Sequence, residues 1–257
     1  MKVLGWFSGG VTSAVAIKKV LELTDHDVEI YYFETGSHHP DHDRFLEDCE
    51  KWYGQKINIV KNPKFTDVID VIRTMKYVNG PSGARCTYDL KKQMRWNIEK
   101  EVNYDAQIFG FEDSPKEINR AIRFQEQYPD AKAHFPLIEL NLDKPTCMKI
   151  IQQAGIELPE MYKLGYHNSN CIGCVKGGMG YWNKIREDFP DHFDAMAKVE
   201  REIGRSCIKG VFLDELKKDR GRHRDISLPS CGVVCQPELM GLDEKTERTM
   251  LINRFWP

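Results

Sequence analysis

Ser8-Gly9-Gly10-Val11-Thr12-Ser13 follows directly on the apolar run Val3-Leu4-Gly5-Trp6-Phe7, and the reading of this junction decides the fold. A buried strand that breaks into Ser-Gly-Gly and re-enters the fold as a helix is a compact device for holding phosphates. The two glycines can take backbone angles closed to other residues and keep Cβ atoms clear of a ligand. The N–H groups that open a helix over residues 13–23, at its positive end, then face one anionic group. The hydroxyls of Ser8, Thr12 and Ser13 add donors. Neither Gly-x-x-x-x-Gly-Lys-Ser/Thr nor Gly-x-Gly-x-x-Gly occurs, which excludes a Walker loop and a dinucleotide fingerprint. On its own, the hexapeptide also admits an ordinary glycine turn.

Working outward, apolar β-rich runs recur at 28–34, 56–60 and 106–111, with a weaker one around 134–137. Amphipathic stretches lie between the first three, and Phe45, Leu46, Cys49, Trp52 and Tyr53 share one face over 40–53. Such alternation predicts an α/β fold, a parallel sheet with helices on both faces. Ligands in these folds sit beyond the carboxyl ends of the strands, at Ser8–Ser13, Glu34-Thr35-Gly36 and Gly110-Phe111-Glu112-Asp113. From about residue 140 the strand signal fades, and 143–154, 181–186 and 191–203 read as helices. The expected division is a nucleotide-binding α/β domain over 1–140 and a helical C-terminal section over 141–257.

The chain has 257 residues, enough for one good core and a small appendage at roughly 100–200 residues per domain. A net charge of −2 gives no global attraction to nucleic acid or anionic membranes. The stretch Lys217-Lys218-Asp219-Arg220-Gly221-Arg222-His223-Arg224 is the local exception, read either as a nucleic-acid patch or as a solvated helix end. No apolar run approaches the ~20 residues of a membrane helix, and no signal-peptide pattern opens the chain. A cytoplasmic protein without a membrane partner is expected. In that reducing setting the eight cysteines point to metal ligands, reactive thiols or core residues rather than disulfides.

Five segments, in order, resemble one superfamily. The Ser8–Ser13 loop resembles the pyrophosphate-binding loop of the ATP pyrophosphatase (PP-loop) group. Phe33-Glu34-Thr35-Gly36, with Pro40 and an amphipathic helix after it, is similar to the acid-Thr-Gly segment of the phosphoadenosine phosphosulfate reductase-like branch. Arg85-Cys86-Thr87-Tyr88-Asp89-Leu90-Lys91 resembles that branch's Cys-Thr-x-x-Leu-Lys element, and Gly110-Phe111-Glu112-Asp113-Ser114-Pro115 its Gly-x-x-x-x-Glu-Ser segment. Gly155-Ile156-Glu157-Leu158-Pro159, then Tyr162-Lys163-Leu164-Gly165-Tyr166 and Cys171-Ile172-Gly173-Cys174, match a stretch ending in Cys-x-x-Cys. The resemblance spans roughly two thirds of the chain. It implies an adenine nucleotide α-hydrolase-like (Rossmann-like) domain that binds ATP with Mg²⁺, or an adenylylated nucleotide. Ser8, Gly9, Gly10, Thr12 and Ser13 would hold phosphates, Glu34, Thr35 and Gly36 would lie beside the adenosine, and Gly110 and Glu112 would complete the nucleotide edge. Enzymes of this group use ATP to adenylate a substrate oxygen, releasing pyrophosphate before a nucleophile displaces AMP.

The cysteines set the subclass. Cys171 and Cys174 sit on a glycine-rich loop, a spacing that suits zinc, a redox dithiol or an iron–sulfur cluster alike. By resemblance Cys86 corresponds to a cluster-ligating position, so that Cys86, Cys171 and Cys174 look like three ligands of a 4Fe–4S cluster. Arg85 stands where adenylylsulfate reductases carry an adjacent cysteine. Gly177, Gly178, Met179 and Gly180 stand where a DNA phosphorothioation enzyme carries another. Either three protein ligands leave an open iron, the preferred arrangement, or Cys231 or Cys235 completes the cluster or carries a persulfide. Cys49, Cys147 and Cys207 read as core. His38, His39 and His42 read as a polar helix start near the nucleotide. Lys91, Lys92 and Arg95 are expected along one helix beside the cluster, offsetting anionic charge, with Lys91 a catalytic candidate beside Cys231 and Cys235.

The leading expectation is an ATP-dependent sulfurtransferase acting on a nucleobase, nucleoside or nucleic acid and drawing on sulfide, a persulfide or a desulfurase. A sulfonucleotide reductase with Cys231 as nucleophile is the second, and a nucleotide-binding module with structural zinc the third. Nothing in the sequence specifies the acceptor or the oligomeric state.

Overall fold

A computed structural model describes residues 1–80 and 83–222. Its centre is a five-stranded parallel sheet of order β3-β2-β1-β6-β7, formed by β1 (Lys2–Phe7), β2 (Asp27–Glu34), β3 (Asn58–Lys61), β6 (Ala106–Ile108) and β7 (Ala133–His134). A short antiparallel ribbon, β4 (Asn79–Gly80) with β5 (Gly83–Ala84), stands apart from it. β1 is central, and its alternation serves two cores at once. Val3 and Phe7 enter one core with Ile30 and Tyr32 of β2, and Leu4 and Trp6 enter the other with Phe33. A strand packed on both faces is apolar throughout rather than alternating, which is why Val3–Phe7 reads as a continuous hydrophobic run.

The first core is closed by α1 (Val11–Leu23), α2 (Asp41–Tyr53) and α8 (Lys144–Gln153). The opposite face is covered chiefly by α6 (Pro115–Gln127), which offers Ile118, Ala121, Ile122 and Phe124, with Ile98 of α5 (Gln93–Glu101). A third group of buried residues lies away from the sheet. It joins α3 (Val68–Met75) and Val78, Ala84 and Leu90 to α9 (Glu160–Lys163), the Cys171–Cys174 loop, α10 (Met179–Asp188), α11 (Pro190–Ile203) and the segment through Leu216. Among the described residues no helix is long and apolar enough to cross a membrane.

Two expectations need correction. The run at 134–137 is strand only at Ala133–His134. Pro136 then fixes a helical φ and opens the short α7 (Pro136–Glu139), so Leu137 reaches the core from a helix. Over 86–95 the helix is interrupted: α4 (Arg85–Thr87) runs into a π-helical turn at Tyr88–Lys92 before α5 begins. The wider turn breaks the four-residue repeat. Arg95, which in a regular helix would share a face with Lys91, instead packs on the Phe124 and Tyr128 rings and pairs with Glu99 at 3.1 Å.

Candidate functional site

From β1 the chain moves outward through β2 and β3, then returns to the other side of β1 as β6. The order therefore reverses between β1 and β6, where open α/β sheets bind ligands. The Ser8–Ser13 loop leaves β1 at this crevice, and Gly110 lies two residues beyond β6. α1 begins there with Gly10 in an extended conformation, no side-chain cap and no acidic residue in its first turn, so the positive end of a 13-residue helix is left to a ligand. The loop ties itself together: Ser8 N–H donates to Ser13 Oγ at 3.0 Å, and Ser13 Oγ donates to the Gly10 carbonyl at 3.0 Å. Gly9 has φ +75°, and a Cβ there would meet the His42 ring at 1.8 Å. A Cβ on Gly110 would sit 2.4 Å from Ser13 Cα, so the strand end rests directly on the loop. The half-buried Tyr162 accepts Val11 N–H on its hydroxyl at 3.4 Å.

Beyond β2, Thr35 is 2% exposed and its Oγ1 lies 3.1 Å from Cys171 Sγ. Gly36 N–H donates to Glu34 Oε1 at 2.6 Å, and Ile172 N–H donates to the Ser37 carbonyl at 2.8 Å. The Cys-x-x-Cys loop is thus fastened to the strand end. His38 and His42 are buried in this seam rather than forming a polar helix start. His38 Nδ1 lies 2.6 Å from the Tyr32 hydroxyl, and the two imidazoles stack with centroids 4.4 Å apart. Burial opposes charge on His38, but Cys171 and Glu34 outweigh it and raise its pKa to about 9. Glu34 is held down at about 2, chiefly by the hydrogen bond from His38. His42 is pushed well below its usual range by burial and by His38. Lys91, buried on the π-helical turn, lowers both histidines electrostatically and so belongs to the same group.

At the β6 edge, Glu112 stands 3.9 Å from Lys144 Nζ, which also donates to Asn168 Oδ1 at 2.5 Å. Burial raises the Glu112 pKa and lowers that of Lys144, each partly countered by the other. Lys144 and Asn168 are the members of this edge that the sequence did not single out. Tyr162 lies within a quoted motif, whereas Lys144 at the start of α8 carries no local signal.

Cys171 and Cys174, each 6% exposed, belong to the third core, and Cys86 is packed at the margin of that core. Tyr181 organises the loop, its hydroxyl accepting Cys174 N–H at 2.8 Å. Cys207 lies in the same core, while Cys49 and Cys147 are wholly buried in the first. Among the described residues no three His, Cys, Asp or Glu side chains are gathered tightly enough to hold a single metal ion. An iron–sulfur cluster places several inorganic atoms between its thiolates and spreads them more widely than one ion does, and all-cysteine ligation is the donor set it takes. Cys231 and Cys235, as well as the basic residues His223 and Arg224, lie outside the described residues.

A parallel α/β sheet with an uncapped Ser-Gly-Gly helix start at its switch point defines a nucleotide-binding protein of the PP-loop class. The chain belongs to the phosphoadenosine phosphosulfate reductase domain family, whose model matches residues 2–177. It is 22% identical over 197 residues to an uncharacterized protein of Methanocaldococcus jannaschii, an alignment covering 76% of this chain and 41% of that relative. The chain therefore spans less than half the length of that relative. A crystal structure of phosphoadenylyl-sulfate (PAPS) reductase from Candida auris, a phosphate complex, is similar with a TM-score of 0.49 at 16% identity, over 66% of this chain and 80% of that one.

Proposed function

We propose that the protein is an ATP-dependent sulfurtransferase that adenylates an oxygen of a nucleobase or nucleic acid and replaces it with sulfur, using a 4Fe–4S cluster held by Cys86, Cys171 and Cys174. The observation that carries this reading is the 3.1 Å approach of Thr35 Oγ1 to Cys171 Sγ, which sets the cysteine core against the strand end beside which the adenosine would lie.

In this reading the Ser8–Ser13 loop and the start of α1 hold the phosphates and stabilise charge on the departing pyrophosphate. The acceptor oxygen attacks the α-phosphorus as the bond to pyrophosphate breaks. Sulfur then attacks the activated carbon and AMP leaves. With sulfide as donor, exchange of C–O for C–S is redox neutral. A bound cluster supplies a sulfur-handling, charge-delocalising centre. Glu34 orients Gly36 for the nucleotide, Glu112 faces the Mg²⁺-bearing phosphates, and Lys91 offsets the anionic charge gathered near Cys171.

The test is anaerobic incubation of the full chain with ATP, Mg²⁺, sulfide and pooled RNA or nucleosides. Pyrophosphate and AMP should appear only with acceptor present, and mass spectrometry should find sulfur in that acceptor. ATP binding without either product refutes the reading. Membership of the reductase-named family favours one further reading, a sulfonucleotide reductase. Sulfite and AMP released from an adenylylated sulfate by a supplied dithiol reductant, which is oxidised to its disulfide, without ATP, and lost in Cys231→Ser alone, selects it.

A further inference from the structure

The basic stretch that begins at Lys217 has no part in the chemistry above, and through Arg222 it is not the helix end that its composition allows. It is a turn held against α10. Arg220 N–H donates to the Lys217 carbonyl at 3.1 Å and closes the turn. Asn183, 3% exposed, donates from Nδ2 to the Lys217 carbonyl at 2.9 Å and to the Arg220 carbonyl at 2.8 Å. Gly221 takes φ +105°, and a Cβ there would sit 2.1 Å from Gly180 N, while a Cβ on Gly180 would sit 2.2 Å from the Arg222 carbonyl oxygen. The backbone is thus fixed inward, and every residue from 217 to 222 is exposed.

Its charge is not neutralised. Lys217, Lys218, Arg220 and Arg222 share the turn with a single acid, Asp219, and none of the four makes an ion pair with a described residue. Asp214 and Glu215, the acids just before the turn, are already taken by Arg201 at 2.8 and 2.6 Å. Four cations against one carboxylate stand out on a chain whose net charge is −2. The turn is also close to the cysteines. Gly180 touches it, and the hydroxyl of the next residue, Tyr181, accepts Cys174 N–H at 2.8 Å. The first turn of α10 therefore contacts both the cationic turn and the Cys-x-x-Cys loop. Fixed, unpaired lysines and arginines suit a phosphodiester backbone. With no apolar residue among them, 217–222 lack the anchors that a membrane or a protein partner requires.

We propose that Lys217, Lys218, Arg220 and Arg222 bind the phosphodiester backbone of a nucleic acid and present it to the cysteine loop, so that the sulfur acceptor is a polynucleotide rather than a free nucleoside. The acceptor assignment rests on the sulfurtransferase reading above, whereas the binding surface does not.

The experiment is fluorescence anisotropy of the full chain, without ATP, on labelled single-stranded RNA, single-stranded DNA and a duplex, and the tightest of the three names the acceptor class. Four neutralised phosphates on a single strand give a log–log salt slope of about −2.8 or steeper, a loss of affinity of about 50-fold between roughly 50 and 200 mM salt. Lys218→Glu/Arg220→Glu should bind about tenfold more weakly or worse, with a slope shallower by about 1.4. The charge-matched control Lys51→Glu/Lys64→Glu, on exposed residues of α2 and of the loop after β3, should stay within about threefold of wild type. Should circular dichroism show the reversal variant unfolded, Lys218→Ser/Arg220→Ser takes its place and the same change of slope decides. No binding by wild type, equal weakening in both double variants, or displacement of the nucleic acid by polyglutamate as readily as by its own unlabelled form overturns the surface. Sulfur transfer to a free nucleoside as efficient as to the polynucleotide overturns the acceptor assignment and leaves the sulfurtransferase reading standing. Salt-dependent binding with no AMP, pyrophosphate or sulfur transfer refutes that reading and leaves the surface in place.

Discussion

Lys144→Met tests the electrostatics of the crevice edge. Lys144 Nζ and Glu112 Oε2 are 3.9 Å apart, with side chains 9% and 15% exposed. Coulomb attraction between unit charges at that separation is about 4 kcal/mol at an effective dielectric of 20 and about 1 kcal/mol in bulk water. A double-mutant cycle with Glu112→Gln, read by urea unfolding at pH 7 on metal-free protein, should therefore give a coupling energy of about 1–4 kcal/mol. The single variants should differ. Glu112→Gln leaves Lys144 its bond to Asn168, whereas Lys144→Met leaves a carboxylate that burial, Glu117 and Asp143 all push toward protonation. Lys144→Met should be the more destabilised, and its loss should depend on pH. A carboxyl whose folded pKa lies above its unfolded value contributes stability that is present below the unfolded value and lost as pH rises through the folded one. Acidifying Lys144→Met from pH 7 to 5 should thus recover stability relative to wild type. A coupling energy under about 0.5 kcal/mol, with no recovery in acid, would mean that water screens the pair as at an exposed surface and would refute the reasoning.

Gly110→Ala places a methyl group against Ser13 backbone, and overpacking of roughly 1–3 kcal/mol should lower affinity for a non-hydrolysable ATP analogue about tenfold or more in calorimetry; unchanged affinity would separate the β6 edge from the phosphate loop. Burial, with His26 adding to it, lowers the His134 pKa to about 4, so the folded state resists a proton that the unfolded chain accepts. Stability should fall as pH drops from about 6.5 toward 4, by on the order of 1–2 kcal/mol after allowing for partial exposure, and His134→Gln should flatten that part of the profile. Asp67 caps α3 by accepting Asp70 N–H at 2.8 Å, and Asp67→Ala should cost about 1 kcal/mol in denaturant unfolding, with the far-ultraviolet dichroism retained.

The parallel sheet was legible because β1 is buried at all but its first residue, β2 at half of its residues, and the helices between strands carry apolar faces. Short-range chemistry was legible too: Gly9, Gly36 and Gly110 all stand where a side chain would strike a neighbour. What escaped was long-range or compensated. α6 has few apolar residues, yet spaces Ile118, Ala121, Ile122 and Phe124 along its buried face. The π-helical turn follows no local pattern, so Arg95, expected along one helix with Lys91, turns to the Phe124 and Tyr128 rings, while Lys91 lies within electrostatic reach of His38 and His42. His38 and His42 read as a polar helix start because imidazole is polar, although stacking on Tyr32 and pairing with Glu34 make burial tolerable. Cys207 is core as expected, but that its core is the one holding Cys171 and Cys174, 33 residues or more before it, is not encoded in spacing.

The third core has a practical consequence for anyone trimming the gene. The family match stops at residue 177, but Trp182, Ile185, Phe193, Met196, Leu213 and Leu216 belong to the same buried core as the paired cysteines. A fragment cut at the homology limit would keep every motif and strip away those side chains, leaving the thiols open to air and solvent. An expression boundary placed after Leu216 preserves the shelter, and comparing how fast the two fragments oxidise would measure what it is worth.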